Sequence, residues 1–474
     1  MIPRVFAAVD LGASGGRVVA GLVDGESLSV EAVHRFPNRA REVDGRLRWP
    51  VSRLYDEVLT GLGALAERYP QVESMGIDTW GVDYGLLDAE GRLLAEPTSY
   101  RDDRTAKVVD AVHALVPPDE LFACNGLQFL PFSTLYQLAS ERRGPLWPQA
   151  SALAMLPDLL AYWLTGELRT ERTNASTTGL LDVRSGEWSL ELVARLGLRA
   201  ELLTPLVSAG TVLGPVRAEL RERLGLPAGV VVTTVGSHDT ASAVAGVPAT
   251  TDRFAYVSSG TWSLVGVELA AGPILTEAAR RANFTNELGV DGRIRFLRNT
   301  GGLWLLQESL RAWAERGEEH DLNRLLGEAA SLPAGGALID VDDASFLAPG
   351  PMPERIAASA VGAGFTAPVG PAQTVRCVVD SLARAYADGV RTGAELSGGV
   401  VDVVHLVGGG SQNALLGQAT ADAAGRPVLA GPAEATAIGN LLVQARAHGA
   451  IADSLDGARA LVAAGTALRR YEPA

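Results

Sequence analysis

A strand, a glycine turn and a second strand are predicted twice in this sequence, over residues 5–23 and again over residues 254–267. In the first copy the β-branched residues Val18, Val19 and Val23 follow the turn, which favours a strand there over a helix. The two copies align, with identities at Phe6 and Phe254, Ala7 and Ala255, Val9 and Val257, and Gly12 and Gly260. The repetition predicts an α/β protein of two duplicated domains, each opening with a hairpin whose turn presents backbone N–H groups to an anion.

The length of the chain agrees with a duplication, because 474 residues exceed what one hydrophobic core usually holds. We place the first domain at residues 1–246, the second at residues 252–450 and a tail at residues 451–474. A ligand is expected to bind in a cleft between the two domains. The tail is expected to carry no functional residue.

Composition excludes several classes of protein. Hydrophobic residues make up 47% of the chain and charged residues 20%, as in a well-packed globular domain. With 41 basic against 55 acidic residues the net charge is −14, so nucleic acid is not an expected partner. No segment has the pattern of a membrane span or a signal peptide, and Cys124 and Cys377 form no metal or disulfide pattern, so a reducing cytoplasm is the expected location.

The sequence contains a single lysine, Lys107, which excludes two common ways of binding nucleotide phosphates. A P-loop and a protein kinase both need a lysine, either after a glycine-rich loop or on a strand. Lys107 follows no glycine-rich loop and lies outside any strand pattern. A nucleotide bound by this chain is therefore expected to rest on the backbone of glycine turns.

A polar segment, residues 236–240, ends the apolar run 230–235 and precedes a helical pattern. Asp239 is predicted to lie at the carboxyl edge of a strand, where a carboxylate can act as general base for a hydroxyl group. The alternative is that Asp239 caps the following helix by accepting a hydrogen bond from its backbone N–H groups. The segment alone favours the cap, and the rest of the chain, described below, makes Asp239 the candidate catalytic residue.

Two further segments have the shape of binding sites. Residues 74–88 are predicted to form a strand, a polar turn and a returning strand. Residues 403–413 are predicted to form a strand and a glycine loop, followed by a helix over residues 414–424, as in a nucleotide-binding crossover. The acidic residue that holds a ribose about 20 positions further on is missing, so packing against an adenosine is favoured over NAD binding.

Five blocks of this sequence resemble the FGGY family of carbohydrate kinases, and they occur in the family's order, at residues 10–17, 77–83, 237–244, 258–264 and 408–413. Within the family the sequence is similar to the branch that phosphorylates L-rhamnulose, on the evidence of residues 80–83, 128–138, 237–240 and 302–307. The resemblance covers about residues 5–445 in ordered blocks, which makes it far more specific than any single glycine motif.

The resemblance implies an actin-like fold of two domains and ATP-dependent phosphorylation of a sugar hydroxyl. In this branch L-rhamnulose and ATP give L-rhamnulose 1-phosphate and ADP, with Mg²⁺ as cofactor. The first domain is then expected to bind the sugar and the second the nucleotide. A kinase for another deoxyketose or pentulose, such as L-fuculose, is the alternative within the class, and an actin- or Hsp70-like ATPase is the alternative from a different class. The expected partners are the ketose and ATP, without a membrane, in a monomer or a homodimer.

The resemblance also implies candidate site residues, position by position. Asp239 is the expected general base, and Asp10 is the carboxylate expected to meet Mg²⁺ through water. The ketose is expected to contact residues from several of the blocks, namely Gly81, Asp83, His238, Asp239, Thr240 and Asn299. The nucleotide is expected to contact the two glycine hairpins and two further positions, namely Ala13, Ser14, Gly15, Gly16, Arg17, Thr261, Gln307 and Gly409.

Several of these residues have a second interpretation. Asp10 alternatively caps its turn, and Arg17 alternatively faces solvent on its strand. Asp83 either binds sugar hydroxyls or closes its turn. His238 is expected to contact the sugar without acting as a base, because phosphoryl transfer needs positioning and charge more than a second base.

Other polar and aromatic positions have less defined roles. Trp80, Trp262 and Trp304 either stack on a ligand or fill the core. The cluster of Asp102, Asp103 and Arg104 has no role that the sequence assigns, and Gly15 stands where the branch more often has serine.

Overall fold

The computed structural model describes residues 3–474, which divide into two compact units. Unit 1 holds the chain up to Thr250 together with Glu268–Phe296 and Ala435–Thr466. Unit 2 holds Thr251–Val267, Leu297–Glu434 and Ala467–Ala474. Two segments from the second half of the sequence therefore pack with the first unit, and both contribute to the site described below.

The strands are, in chain order, β1 (Arg4–Leu11), β2 (Gly15–Val23), β3 (Leu28–Pro37), β4 (Arg41–Val43), β5 (Arg46–Arg48), β6 (Val72–Thr79), β7 (Tyr84–Leu87), β8 (Ala152–Met155), β9 (Thr170–Glu171), β10 (Leu181–Asp182), β11 (Glu187–Trp188), β12 (Leu206–Val207), β13 (Val212–Pro215), β14 (Val231–Thr233), β15 (Phe254–Ser259), β16 (Trp262–Leu269), β17 (Thr285–Leu288), β18 (Ile294–Gly301), β19 (Val403–Val407), β20 (Val428–Ala430) and β21 (Arg469–Tyr471).

The helices are, in chain order, α1 (Val51–Arg68), α2 (Val109–Leu115), α3 (Pro118–Asn125), α4 (Thr134–Glu141), α5 (Leu156–Thr165), α6 (Arg172–Ala175), α7 (Leu190–Arg195), α8 (Ala218–Leu224), α9 (Asp239–Ala245), α10 (Glu277–Arg281), α11 (Trp304–Ala314), α12 (Leu322–Ala330), α13 (Met352–Gly362), α14 (Gly370–Ser397), α15 (Ala414–Ala424), α16 (Ala435–Ala447) and α17 (Leu455–Gly465). Among the helices of residues 3–474, none combines the length and apolarity that spanning a membrane requires.

The main sheet of unit 1 has the strand order β13-β14-β6-β1-β2-β3. Strands β1 and β2 form the predicted antiparallel hairpin, while β6 pairs parallel with β1 and β14 pairs parallel with β6. The carboxyl ends of these parallel strands therefore meet at one edge of the sheet, where ligand sites of open α/β sheets usually lie. Asp10, Asp78 and Asp239 are the acidic residues that end or follow them.

The second large sheet repeats this arrangement. Its strand order is β17-β18-β16-β15-β19-β20-β21, in which β15 and β16 form an antiparallel hairpin and β19 pairs parallel with β15. In both sheets the first strand of a glycine hairpin thus lies between its antiparallel partner and a parallel neighbour. The predicted strand–turn–strand pattern is confirmed in both copies.

The prediction that residues 74–88 form a strand and a returning strand is wrong in its second half. β6 is present, but β7 pairs antiparallel with β8 and does not return to β6. The reason is that both edges of β6 are occupied, by β1 on one side and by β14 on the other. The polar turn between β6 and β7 therefore carries the chain from one sheet to another.

The helix that follows the polar segment 236–240, α9, packs closely against α16 within unit 1. A Cβ atom on Gly439 of α16 would lie 1.8 Å from the carbonyl oxygen of Ser242 in α9, so only glycine allows this approach. At the carboxyl end of α9, Arg459 of α17 donates through Nη2 to the carbonyl oxygen of Val244 at 2.8 Å. The same guanidinium is paired with the buried carboxylate of Glu268 at 2.8 Å. Residues from the tail thus help to hold α9 in place.

Candidate active site

Asp10 and Arg17 face each other across the first hairpin. They are register partners in β1 and β2, and Oδ2 of Asp10 accepts hydrogen bonds from Nε and Nη2 of Arg17 at 2.9 and 2.6 Å. Asp10 is buried at the carboxyl edge of the sheet. The guanidinium of Arg17 therefore holds the Asp10 carboxylate, instead of extending into solvent as one interpretation of the sequence had it.

A second buried carboxyl group, Asp78, lies beside Asp10 and was not among the predicted site residues. It is the register partner of Asp10 on β6, and its Oδ2 accepts a hydrogen bond from Nδ2 of Asn440 at 2.6 Å. Burial, and next the negative charge of Asp10, raise the pKa of Asp78 well above its ordinary value. The sequence signal that could have found it is an aspartate at the end of an apolar strand.

Asn440, which donates to Asp78, is itself held by a second amide side chain on α16. Gln444 donates through Nε2 to Oδ1 of Asn440 at 2.7 Å and to the carbonyl oxygen of Ala7 at 2.9 Å. Ser74 donates to Oε1 of Gln444 at 2.9 Å. This connected network joins α16 to β1 and β6 behind the carboxyl edge, and it orients the amide that binds Asp78.

Asp239 is the first residue of α9, and the preceding N-cap position belongs to His238. The interpretation of Asp239 as the helix N-cap is therefore wrong. Its side chain remains 28% exposed, and its Oδ1 accepts a hydrogen bond from Oγ1 of Thr240 at 3.1 Å. Desolvation raises the pKa of Asp239, and the negative charge of Asp10 adds to this rise. A carboxylate that is open on one side and more basic than usual is suited to accept a proton.

The turn before Asp239 is held by the buried carboxylate of Glu171. Oε2 of Glu171 accepts hydrogen bonds from the backbone N–H and the hydroxyl of Ser237 at 3.1 and 2.9 Å. The carbonyl oxygen of Ser237 in turn accepts a hydrogen bond from the N–H of Thr79, the last residue of β6, at 2.9 Å. Asp239 is thus placed by contacts with rigid elements on both sides.

His238 lies against two buried charged residues that were not predicted from the sequence, Glu287 and Arg295. Nδ1 of His238 lies 3.1 Å from Nη2 of Arg295 and 3.2 Å from Oε2 of Glu287. Arg295 is fully buried, and its Nη1 is paired with Oε2 of Glu287 at 3.0 Å. The available signal was a charged residue directly beside apolar ones in each of the strands β17 and β18.

Asp83 is fully buried and its carboxylate is surrounded by protein donors. Oδ2 accepts hydrogen bonds from the indole Nε1 atoms of Trp49 and Trp80 at 2.5 and 3.0 Å and from the N–H of Tyr100 at 3.2 Å. Oδ1 accepts from Nε2 of Gln137 at 3.0 Å. We therefore correct the predicted contact of Asp83 with sugar hydroxyls, because these four donors occupy it, and assign it a positioning role for the turn.

The turn between β6 and β7 is strained at Val82, whose φ is +69°. A β-branched residue rarely adopts this conformation, and it persists only where the surroundings impose it. Here the N–H of Val82 donates to Oγ1 of Thr177 at 3.1 Å, and its carbonyl oxygen accepts from Oγ1 of Thr134 at 2.7 Å. Gly81 is packed against Thr177 as well, since a Cβ atom there would lie 2.9 Å from the hydroxyl of that threonine.

The polar cluster without an assigned role, Asp102, Asp103 and Arg104, supports this turn from behind. Arg104 is buried and donates through Nη2 to Oε1 of Gln137 at 2.6 Å, and Gln137 donates to Asp83. Asp102 accepts a hydrogen bond from the N–H of Arg104 at 3.0 Å. Asp103 is exposed. The first and third members therefore act through Gln137 on the carboxylate of Asp83.

The other predicted nucleotide residues of unit 1 form the tip of the β1–β2 hairpin, namely Ala13, Ser14, Gly15 and Gly16. The N–H of Gly12 donates to the carbonyl oxygen of Gly15 at 2.8 Å and closes this turn. A Cβ atom on Gly15 would lie 3.2 Å from the carbonyl oxygen of Phe36, a tight contact that a shift of a few tenths of an ångström would relieve.

In unit 2 the predicted nucleotide residues lie at one edge of the second sheet. The hairpin tip contacts the start of α11, since the N–H of Trp304 donates to the carbonyl oxygen of Thr261 at 3.2 Å. Gln307 is exposed on the first turns of this helix, and Gly409 is exposed in the loop after β19. The structure thus places Thr261 against the start of the helix that carries Gln307, while Asn299 lies near the end of β18.

The buried carboxyl groups behind the Asp239 turn predict a pH effect on stability. Asp158 accepts a hydrogen bond from the N–H of Glu171 at 3.2 Å, and desolvation raises the pKa of both carboxyl groups. A raised pKa in the folded state means that stability falls as pH rises from the unfolded value, about 4, towards the folded value. Asp158→Asn is therefore expected to increase the free energy of unfolding at pH 8 relative to the parent, by about 1–2 kcal/mol, and to have a smaller effect at pH 5.

Urea unfolding at the two pH values measures this difference. The control is Glu277→Gln, because Arg280 and Arg281 lower the pKa of Glu277 to about 2, so this carboxylate is ionised at both pH values and its substitution is expected to change stability equally at pH 5 and pH 8. An Asp158→Asn protein that is destabilised more at pH 8 than at pH 5 would contradict the expected sign.

Comparison with known proteins identifies the class to which this geometry belongs. The sequence profile of the FGGY family of carbohydrate kinases, N-terminal domain, matches residues 5–246, and the profile of its C-terminal domain matches residues 255–448. The chain therefore belongs to the FGGY family of carbohydrate kinases, and it is a sugar kinase. The predicted actin-like fold of two α/β domains is confirmed.

Curated relatives give a more particular similarity. The chain is 40% identical to "Rhamnulokinase" of Bacteroides thetaiotaomicron over 470 residues, which cover 99% of this chain and 96% of the relative. It is 41% identical to "Rhamnulokinase" of Enterococcus faecalis over 454 residues, which cover 95% of this chain and 90% of the relative.

Solved structures resemble the chain in fold at low sequence identity. Gluconate kinase from Lactobacillus acidophilus has a TM-score of 0.77 at 15% identity, covering 100% of this chain and 94% of that one. Xylulose kinase from Rhodospirillum rubrum has a TM-score of 0.76 at 20% identity, covering 99% of this chain and 94% of that one. These likenesses concern the fold alone.

Proposed function

We propose that this protein transfers the γ-phosphoryl group of ATP to L-rhamnulose, giving L-rhamnulose 1-phosphate and ADP. The observation that carries the proposal is the half-open carboxylate of Asp239 at the start of α9, beside His238 and at the carboxyl edge of the sheet. The identity of about 40% to proteins named rhamnulokinase, over nearly the whole chain, supports this ketose as the acceptor.

In the proposed reaction Asp239 accepts the proton of the attacking sugar hydroxyl. The hydroxyl oxygen forms a bond to the γ-phosphorus, the bond from that phosphorus to the bridging oxygen of ADP breaks, and the proton stays on Asp239 until product leaves. His238, Thr240, Gly81 and Asn299 are proposed to hold the ketose. Asp83 acts indirectly, since it fixes the turn that contains Gly81.

We propose that the nucleotide is held by the glycine turns and the side chains around them. The tip of the first hairpin and Thr261 of the second supply N–H and hydroxyl donors to phosphates, and Gln307 and Gly409 contact the rest of the nucleotide. With this set of donors no lysine is needed. Arg17 contributes positive charge at the same hairpin while it holds Asp10.

The acidic residues of the edge fit a magnesium ion. Within residues 3–474 no cluster of three or more histidine, cysteine or acidic side chains is arranged to hold a metal. Mg²⁺, however, usually takes only one or two protein carboxylates, and water and substrate phosphates complete its shell. Asp10 and Asp78 provide two carboxyl groups in register, and Oδ1 of Asp78 is buried without a hydrogen-bond partner in the described chain. When bound, Mg²⁺ would neutralise phosphate charge, with Asp10 as its proposed ligand through water.

The release of ADP, measured with purified protein and ATP, tests the proposal. Turnover is expected with L-rhamnulose and not with ATP alone, and the product is expected to carry its phosphate on C1, as ³¹P NMR can establish. Higher kcat/KM for L-fuculose or a pentulose would replace the proposed substrate by the alternative within the class. Equal ADP release with and without sugar would favour an ATPase.

The phosphate-binding arrangement predicts that the single lysine is dispensable. Lys107 is exposed in a turn. Lys107→Ala is therefore expected to leave kcat and the KM for ATP within a few-fold of the parent, as for other exposed substitutions. Steady-state kinetics on the folded variant measures this. A loss of kcat by three orders of magnitude would contradict phosphate binding by the glycine turns.

A further inference from the structure

The ring of His238 is held at Nδ1 by a group that can only donate hydrogen bonds. Nη2 of the fully buried Arg295 lies 3.1 Å from Nδ1, and Nε and Nη2 of the same guanidinium also donate to the carbonyl oxygen of Leu288 at 3.1 and 3.0 Å. These bonds fix the plane of the guanidinium. One of its N–H groups is thereby aimed at the imidazole.

The chemistry of this contact decides where the proton of His238 lies. A guanidinium has five N–H donors, accepts no hydrogen bond and stays protonated in proteins. For Nδ1 of His238 to accept this N–H it carries the lone pair, and the ring proton is then on Nε2. Glu287, whose Oε2 also lies 3.2 Å from Nδ1, is paired with Nη1 of Arg295 at 3.0 Å, so the positive charge that balances this carboxylate is on the arginine.

We infer that Arg295, together with Glu287, locks His238 as the neutral Nε2–H tautomer, so that His238 is a hydrogen-bond donor into the site. Nε2 lies 3.5 Å from Oδ1 of Asp239, on the side of the ring opposite Arg295. Arg295 and Glu287 are positioning residues, because both act through His238. Leu288 contributes only its carbonyl oxygen.

The locked tautomer keeps the roles of His238 and Asp239 separate. An imidazole with a free Nε2 would compete for the proton of the sugar hydroxyl. An imidazolium would pair with Asp239 and make that carboxylate a weaker base. A neutral N–H donor does neither, and it can hold an oxygen atom of the ketose beside Asp239. This last step rests on the proposed function, whereas the tautomer itself is a property of the free protein.

The tautomer can be measured directly, because the chain has only six histidines. Protein labelled with ¹⁵N-histidine gives ring-nitrogen shifts that distinguish the two neutral tautomers and the imidazolium, and His238→Gln assigns the signal. We expect the Nε2–H form in the substrate-free wild type at pH 7. The Nδ1–H form or an imidazolium there would overturn the inference, whether or not L-rhamnulose is the substrate.

Variants of Arg295 test the cause of the tautomer. In Arg295→Met the carboxylate of Glu287 remains beside Nδ1. His238 is therefore expected to carry a proton on Nδ1, which it donates to Glu287. Arg295→Lys retains a donor and is expected to retain the wild-type signal. A wild-type tautomer in Arg295→Met would overturn the assignment of Arg295. If Arg295→Met does not fold, the wild-type spectrum and the Arg295→Lys spectrum still decide.

Kinetics separates a positioning role from a purely structural one. In folded Arg295→Met the KM for the ketose is expected to rise at least tenfold and kcat to fall, while the KM for ATP stays within about threefold. Arg295→Lys is expected to recover most of both. An unchanged ketose KM in a variant whose tautomer has changed would overturn the proposed use of Nε2–H in substrate binding, and would leave the phosphoryl-transfer proposal standing.

Discussion

Replacing Asp239 with asparagine is expected to lower kcat by about 10²–10⁴-fold and to change ketose affinity by less than about tenfold. Asparagine has the size of aspartate and can still accept the hydrogen bond from Thr240, but it cannot take a proton from the sugar hydroxyl. Binding depends on several other contacts, so it is expected to survive. The measurements are kcat and the ketose dissociation constant of the purified, folded variant.

The matched control is Asp24→Asn, in a surface turn far from the carboxyl edge. Asp24 accepts hydrogen bonds from the N–H groups of Glu26 and Ser27, which asparagine can also accept, so kcat is expected to stay at the parental value. Parental turnover in Asp239→Asn would remove Asp239 from the chemistry. Retained kcat with lost affinity would make it a binding residue only.

The ionisation of Asp239 also predicts how the activity changes with pH. Desolvation raises its pKa, and only the ionised form can act as a base. The kcat/KM of the wild type is therefore expected to increase with pH through a pKa above the ordinary aspartate value of about 3.9. This acidic limb should be absent from the residual activity of Asp239→Asn.

The two glycine hairpins and the position of the polar segment 236–240 could be predicted from the sequence because they depend on local pattern. The glycine hairpins and the polar segment 236–240 each show an apolar run followed by small or polar residues within a short window, and the helix after the second glycine loop has a helical pattern. The carboxyl ends of β1, β6 and β14 meet at one edge of the sheet because these strands are parallel. Asp10 and Asp239 therefore lie where the sequence predicts them, at or just after the carboxyl ends of strands.

The missed residues depend on contacts between segments far apart in the sequence. Asp78 is oriented by Asn440, and His238 by Glu287 and Arg295, and no local window contains both members of these pairs. A charged residue in an apolar strand signals a partner without identifying it. The two interpretations of Asp83 could not be separated for the same reason, since three of its four donors, Trp49, Tyr100 and Gln137, come from outside its own turn.

Removing the carboxylate of Asp83 is expected to cause the largest loss of stability among the substitutions considered. Asp83→Leu leaves the indole N–H groups of Trp49 and Trp80, the N–H of Tyr100 and the amide of Gln137 buried without their acceptor. Each unsatisfied buried group costs about 1–3 kcal/mol, and the burial of a carboxylate that is no longer present offsets part of this. We expect the free energy of unfolding to fall by about 3–5 kcal/mol, measured by urea unfolding.

Two control variants test whether the loss of stability is specific to the buried carboxylate of Asp83. Asp103, whose side chain is 95% exposed, is expected to tolerate Asp103→Leu within about 0.5 kcal/mol. Asp83→Asn retains one acceptor oxygen for the two indoles, so its cost is expected to lie between those of the two leucine variants. An Asp83→Leu protein as stable as the parent would contradict the positioning role.

A double-mutant cycle locates the cost in the indole contacts. Trp49→Phe removes one N–H donor and keeps an aromatic ring against Trp80, whose ring centroid lies 4.5 Å from that of Trp49. In the parent this substitution breaks a bond to a buried charge, whereas in Asp83→Leu it removes a donor that is already unsatisfied. Trp49→Phe is therefore expected to cost less in the Asp83→Leu background, with a coupling of about 1–3 kcal/mol. Because Gly81 and the strained Val82 precede Asp83 in the same turn, the coupling between Trp49 and Asp83 is one of the contacts that hold the proposed sugar-binding turn in place.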